Sequence, residues 1–242
     1  IRAVNTGARV SAKIITTPQG VDYEGTAAID GVPGTASPVV LNFMDVAGSS
    51  TGAFLPTGAL IDRFDGIDVT CMDVAMPMVI ARAADFGLTG DETVQELDEN
   101  TEFFAAMEAV RIKAGAAMGL GDVRTSVTPK FGLLAPARNG GTVATRYFMP
   151  WNTHPTMAVT GSQCMASCVL TPGTVADGMV DVPNVEPCTV TLEHPMGTMD
   201  VIIDFDLVDG NFAHKSAGLV RTCRKIAQGS VFIPKSIWAP HS

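Results

Sequence analysis

Thr156-Met157-Ala158-Val159-Thr160-Gly161-Ser162-Gln163-Cys164-Met165-Ala166-Ser167-Cys168-Val169 is the stretch on which the fold turns. Its spacing predicts a helix over 156–169 that is small or apolar on every face, with Ala158, Gly161, Ala166 and Ser167 spread around it. A helix without a charged side cannot lie on a surface, so it is expected at the buried centre of a domain, wrapped by other elements.

The flanking segments supply the wrapping. Upstream, 131–135 and 142–149 alternate as strands, and 67–82 holds two more, split near Met76-Pro77. Downstream, strands are expected at 188–193 and 199–207, joined by Glu193-His194-Pro195-Met196-Gly197. Between the strand groups, 98–118 predicts an amphipathic helix with Phe103, Met107, Val110, Ala114 and Met118 on one face, stopped by Gly119 and Gly121. The first part of the chain is β and turn: a half-buried strand at 8–15, a turn at Thr17-Pro18-Gln19-Gly20, a return strand from Val21, a turn region at Ile29 to Pro33, and a strong strand at 39–43. A last helix is expected at about 217–227, its basic end suited to a helix C-terminus, followed by a final strand at 231–233. Strand and helix mix without a regular βαβ repeat, GxGxxG or P-loop. The expected class is α+β, with sheet around a central helix.

Composition narrows the function. The 242 residues are 46% hydrophobic and 17% charged, which suits a well-cored globular chain. No apolar run approaches the roughly 18 residues of a membrane span. A net charge of −9 without a basic stripe argues against nucleic acid and anionic membrane as partners. An anionic ligand would need local donors, such as helix N-termini and a few arginines. The five cysteines, at 71, 164, 168, 188 and 223, form no CxxC pair and no zinc spacing, and are expected as free thiols in a reducing cytoplasm. The start, Ile1-Arg2-Ala3-Val4, has neither Met nor a signal peptide and enters a strand pattern at once, from which an absent upstream segment is expected.

Several motifs in order carry a resemblance. They are Ile29-Asp30-Gly31-Val32-Pro33-Gly34, Asp45-Val46-Ala47-Gly48, Leu55-Pro56-Thr57-Gly58, Asp68-Val69-Thr70-Cys71-Met72-Asp73 with Met76-Pro77, and Gly87-Leu88-Thr89-Gly90-Asp91-Glu92. Then come Arg138-Asn139-Gly140-Gly141-Thr142, His154-Pro155-Thr156 with Thr160-Gly161, Glu193-His194-Pro195, and Leu219-Val220-Arg221-Thr222 with Arg224-Lys225. Together they resemble the methylaconitate isomerase (PrpF) family, and within it the 4-oxalomesaconate tautomerases, over what looks like the family's C-terminal two-thirds. The resemblance implies a diaminopimelate-epimerase-like fold, with sheets wrapped around central helices and a cleft between two domains. It divides the chain into 1–65, the second half of a first, incomplete domain; 66–228, a C-terminal epimerase-like domain; and 229–242, a return strand and tail. It also implies a cytoplasmic, cofactor-independent isomerase that shifts a double bond in an unsaturated di- or tricarboxylate. The substrate implied is 4-oxalomesaconate, in aromatic acid breakdown. The alternatives are 2-methylaconitate, or a truncated carboxylate-binding fragment without activity. The family's proposed catalytic lysine and cysteine lie in Ser-Lys and Gln-Asn-Cys-Gly-Asn segments that do not occur here, so the chain is expected to be inactive alone. Without the first domain's central helix, its partner is expected to be a second copy or a complementing N-terminal segment.

Moving a double bond beside carboxylates needs a base, an acid, and fixed donors for the developing enolate. His154, Thr156, Thr160, Gly161 and Ser162 open the central helix and either hold a carboxylate or simply cap the helix. His154 is also a candidate proton donor. Arg138 and Asn139 are either a carboxylate clamp or a solvated turn. Ser216 is expected to begin the last helix, a second anion candidate, with Arg221 one turn inside it. Thr57, Gly58 and Met76 are placed at the cleft by the resemblance, a tight turn being the simpler account of Thr57-Gly58. Cys164 and Cys168 are expected as core residues, and His194 as a structural turn residue.

Overall fold

The computed structural model describes residues 1–2, 4, 9–180, 187–208 and 211–238. Ala8, where the first strand was expected to begin, and 239–242 of the expected tail lie outside them. In chain order the elements begin with β1 (Arg9–Ile14), β2 (Thr16–Thr17), β3 (Gly20–Val21), β4 (Pro38–Met44), β5 (Asp62–Phe64), β6 (Ile67–Asp73) and β7 (Pro77–Arg82). A 3-10 turn at Ala83–Phe86 leads to α1 (Val94–Glu99) and α2 (Thr101–Ala117), then β8 (Lys130–Pro136) and β9 (Val143–Phe148). The chain continues through α3 (Val159–Leu170), β10 (Cys188–His194), β11 (Gly197–Val208) and β12 (Asn211–Thr222). Ten strands form one sheet in the order β1-β4-β12-β11-β10-β9-β8-β7-β6-β5, and β2-β3 is a separate hairpin. The β7–β8 and β9–β10 neighbours are parallel; the other pairs are antiparallel. The α+β class is as expected. No helix among the described residues is long and apolar enough to cross a membrane.

The predicted central helix is α3, starting three residues later than its spacing suggests. From Gly161 to Leu170 every residue is buried. It touches β6, β7, β10, β11 and β12, so the curved sheet wraps it. Close approach explains the small residues: a Cβ on Gly161 would lie 2.1 Å from the Tyr147 ring. Cys164 and Cys168 are buried and free, as core residues.

Strands β6 to β9 are covered twice. Met72, Met78, Ile80, Leu134, Val143 and Tyr147 pack in the cluster that contains α3. Val69, Cys71, Val79, Ala81, Phe131, Leu133 and Phe148 pack with Phe103, Met107, Val110 and Ala114 of α2. The expected 98–118 helix is divided at Asn100, whose side chain accepts the Phe103 N–H at 3.0 Å and caps α2, while Thr93 and Glu96 form a capping box on α1. Arg111 on α2 is fully buried. It pairs with Glu108 and donates to the carbonyls of Val123, Ser126 and Pro129.

Two expectations near the C-terminus fail. The helix at 217–227 is instead the end of β12, bonded to β11 on one side and β4 on the other. Residues 216–222 have no helical cap and can satisfy their backbone groups on both edges, so the ladder overrides local propensity. At Gly218 a Cβ would meet Asn42 Oδ1 at 2.3 Å. The strand at 231–233 is also absent: 223–234 carry neither strand nor helix, and Val231 and Phe232 are 89% and 93% exposed. The hydrophobicity that suggested a strand has no ladder partner here.

Candidate functional site

A cavity of about 320 Å³ opens where the segment leading into α3 meets the β10–β11 turn and the end of β12. Thr156 and Met157 line it from before α3, His194 and Thr198 from the turn, Arg221 from β12, and Asp30 from the 22–36 segment. Two residues expected at the site, Thr156 and Arg221, are thereby brought together, although Arg221 arrives on a strand.

Arg221 is half-buried, and burial holds its pKa below the usual arginine value. Its Nη1 donates to the Val220 carbonyl at 2.9 Å. Among the described residues no carboxylate forms an ion pair with it. A guanidinium in that state is a ready partner for an incoming carboxylate. Nearby, α3 opens on Ala158 in an extended conformation, with no side chain capping the first turn. The first amides of a helix without such a cap are donors for an anion.

His154 does not line the cavity but supports its Thr156 rim, and its imidazole shares a geometry with that of His194 in the wall. His154 Nδ1 accepts the Thr156 N–H at 3.0 Å, and His194 Nδ1 accepts the Met196 N–H at 3.2 Å. A neutral ring accepting at Nδ1 carries its proton on Nε2. Burial pushes both pKa values below the ordinary histidine value; the charge of Asp30 opposes this at His194, and Arg146 and His154 add to it. Both are therefore neutral at pH 7. His154 packs edge-on against Tyr147, with ring centres 5.8 Å apart.

The other expected residues lie elsewhere or act locally. Glu193 organises Arg138 and Asn139: its carboxylate accepts the backbone N–H groups of Arg138, Asn139 and Gly141 at 2.8, 2.6 and 2.8 Å. The Arg138 side chain pairs with Asp91. Thr57 donates to Asp62 at 2.7 Å, and Gly58 closes a turn onto the Leu55 carbonyl. Met76 packs against the α3 core. Thr160, Gly161 and Ser162 lie in the first turn of α3, where Ser162 Oγ donates to the Val159 carbonyl at 2.9 Å. Ser216 pairs with Met44 and Asp204 inside the sheet, so the helix N-terminus expected there does not exist. Sequence reasoning missed Asp30 and His194 as cavity residues. Both stand in motifs that carry the family resemblance, but nothing in the sequence joins positions so far apart.

The chain is 44% identical to the (4E)-oxalomesaconate Delta-isomerase of Novosphingobium sp. (strain KA1) over 95% of its own length and 63% of that protein's. It is 39% identical to the 4-oxalomesaconate tautomerase of Pseudomonas putida, over 97% of this chain and 64% of the relative. A crystal structure of methylitaconate-delta-isomerase matches the fold with a TM-score of 0.80 and 28% identity, covering 96% of this chain and 65% of that one. The chain thus spans just under two-thirds of the length of each of these relatives. The fold match agrees with the expected diaminopimelate-epimerase-like architecture. The model of the PrpF protein family matches residues 1–234, so the description of the likeness as limited to a C-terminal two-thirds is not borne out for this chain. With a match of that extent, the chain belongs to the PrpF family.

Proposed function

We propose that this chain serves a cofactor-independent isomerase that shifts a double bond in an unsaturated di- or tricarboxylate, with 4-oxalomesaconate as the substrate. The observation that carries the reading is the cavity beside α3, where Arg221 has no carboxylate partner among the described residues and the His194 imidazole lines the wall. The names of the relatives point to the same substrate class. In this reaction a proton leaves a carbon next to a carbonyl or carboxylate. The electron pair spreads over the conjugated system, and a proton returns at the far carbon. Arg221 and the first amides of α3 hold carboxylates, and an imidazole Nε2–H stands by the oxygen on which charge develops. The lysine and cysteine that the family resemblance implies for proton transfer lie outside this chain, which supplies the anion-holding part. In the same reading the enzyme is cytoplasmic and works in aromatic acid breakdown, and the exposed β1–β4 side of the sheet is the seat of a homodimer contact or of a complementing segment.

The test is an ultraviolet assay of 4-oxalomesaconate conversion by the 242-residue chain, with and without the N-terminal third of a relative. Conversion only with the added segment is the expected result. Conversion of neither 4-oxalomesaconate nor 2-methylaconitate in the complemented assay overturns the proposal. A preference for 2-methylaconitate selects that substrate instead.

A further inference from the structure

We propose that Asp30 is a positioning residue for this cavity: its carboxylate clamps the β10–β11 turn and so fixes His194 in the wall. The clamp joins segments 168 residues apart. Asp30 Oδ2 accepts the Thr198 N–H at 2.7 Å and the Thr198 hydroxyl at 3.1 Å. Glycine beneath it lets the carboxylate approach, for two reasons. A Cβ on Gly197 would stand 2.3 Å from that oxygen, and Gly197 has φ +138, which L side chains rarely adopt.

Gly197 is the register partner of His194 at the turn end of the β10–β11 hairpin, so the clamp grips the pair that carries the imidazole. His194 is 7% exposed. Among the described residues no other hydrogen bond of the 22–36 segment reaches this turn: its further bonds include a bridge between Ala27 and Ala36, the Ile29–Val32 turn, the Ser37 N–H to the Tyr23 carbonyl, and bonds from Arg224 to the carbonyls of Pro33 and Thr35. Asp30 thus couples a loop without regular structure to the cavity, and its charge is part of the field at His194. The other charged or titratable groups around that ring are Arg146, His154, Arg221 and Asp200, Asp91 and Glu92 across a neighbouring cavity, and Glu193 on its own strand, turned to the 138–141 loop. Removing a neighbouring negative charge disfavours the imidazolium.

This inference rests on the functional reading for the cavity's ligand but not for its first measurement. That measurement is an NMR titration of the imidazole rings in the wild-type chain, Asp30→Asn and Asp30→Glu. Asp30→Asn is expected to move the His194 midpoint to lower pH and leave His214 in place. Asp30→Glu keeps the charge and controls for a folding defect; its His194 midpoint is expected to stay nearer the wild type. The second measurement is calorimetric titration with trans-aconitate. Asp30→Ala and Gly197→Ala are each expected to weaken binding by about tenfold, the effect of a misplaced wall. A His194 midpoint unmoved in Asp30→Asn overturns the proposal. If His194 responds but trans-aconitate does not bind the wild type, the clamp stands and the carboxylate reading of the cavity falls.

Discussion

Strands β6 to β9 and strands β10, β11, β12 and β4 belong to one sheet, but they meet different demands. The first group lies between α2 and α3 and is apolar on both faces. In the second, α3 covers one face and no helix covers the other among the described residues. Along β11, Val201, Ile203 and Phe205 are buried while Ile202, Asp204 and Asp206 between them are only partly so. Double cover makes a strand a continuous apolar run, whereas single cover makes it alternate. The twice-covered half anchors the fold. The singly covered half brings Arg221 to the α3 end, offers the β11 residue that Asp30 clamps, and can carry polar groups there without burying them completely.

Substitutions break or sharpen this contrast. The largest expected effect is on α2, the cover that only one half has. Arg111→Ala leaves Glu108 and three carbonyls without their partner and is expected to cost about 4 kcal/mol, measured by urea unfolding. A loss below about 1 kcal/mol would show that α2 is not anchored by this residue. Next, Gly161→Ala and Gly218→Ala place the same methyl group in the two halves. At Gly161 it drives into the packed Tyr147 ring, and about 3 kcal/mol is expected. At Gly218 it meets the amide of partly exposed Asn42, which can swing aside, so about 1 kcal/mol is expected. Equal losses would remove the distinction.

A pH effect comes from the singly covered half. His214 on β12 has its pKa pushed down to about 4 by burial, and its Nε2 has no hydrogen-bond partner. The ring lies 6.4 Å from both Phe54 and Phe212. Because the folded pKa lies below the unfolded value, the unfolded chain binds the extra proton first. The stability is therefore complete above about pH 6.5 and is lost as pH falls toward 4, by about 3 kcal/mol. His154 and His194, also held low, add to the same slope. His214→Phe is expected to flatten most of it in unfolding curves at pH 7 and pH 4.5; an unchanged slope would contradict the assignment. Smallest is Glu193→Gln, which weakens three backbone bonds of the 138–141 loop and is expected to cost about 1 kcal/mol. It is also expected to raise amide exchange at Asn139 and Gly141; unchanged exchange would mean the loop holds itself.

The same contrast explains what was legible beforehand. The twice-covered strands stood out because Cys71-Met72 and Val79-Ile80 are unbroken apolar runs, and α3 stood out because it has no polar face. Segment 217–227 misled because Ala217-Gly218-Leu219-Val220 has neither strict alternation nor a turn signal, and its basic residues mimic a helix end. Its strand character comes from β4 and β11, which no local window contains. The site was half legible for the same reason. Thr156, His154 and Arg221 stand in motifs with obvious donor chemistry. Asp30 and His194 acquire their place only through contacts across 168 residues and across the β10–β11 turn.

The most direct test of the account is calorimetric titration of trans-aconitate into the wild-type chain, Arg221→Met and Arg138→Met. The account predicts that Arg221→Met weakens binding by tenfold or more, since a guanidinium–carboxylate contact in a partly buried cavity is worth about that. Arg138→Met, whose arginine is already paired with Asp91, should bind like the wild type. Equal binding by wild type and Arg221→Met, or loss in Arg138→Met alone, would place the carboxylate site elsewhere and contradict the account.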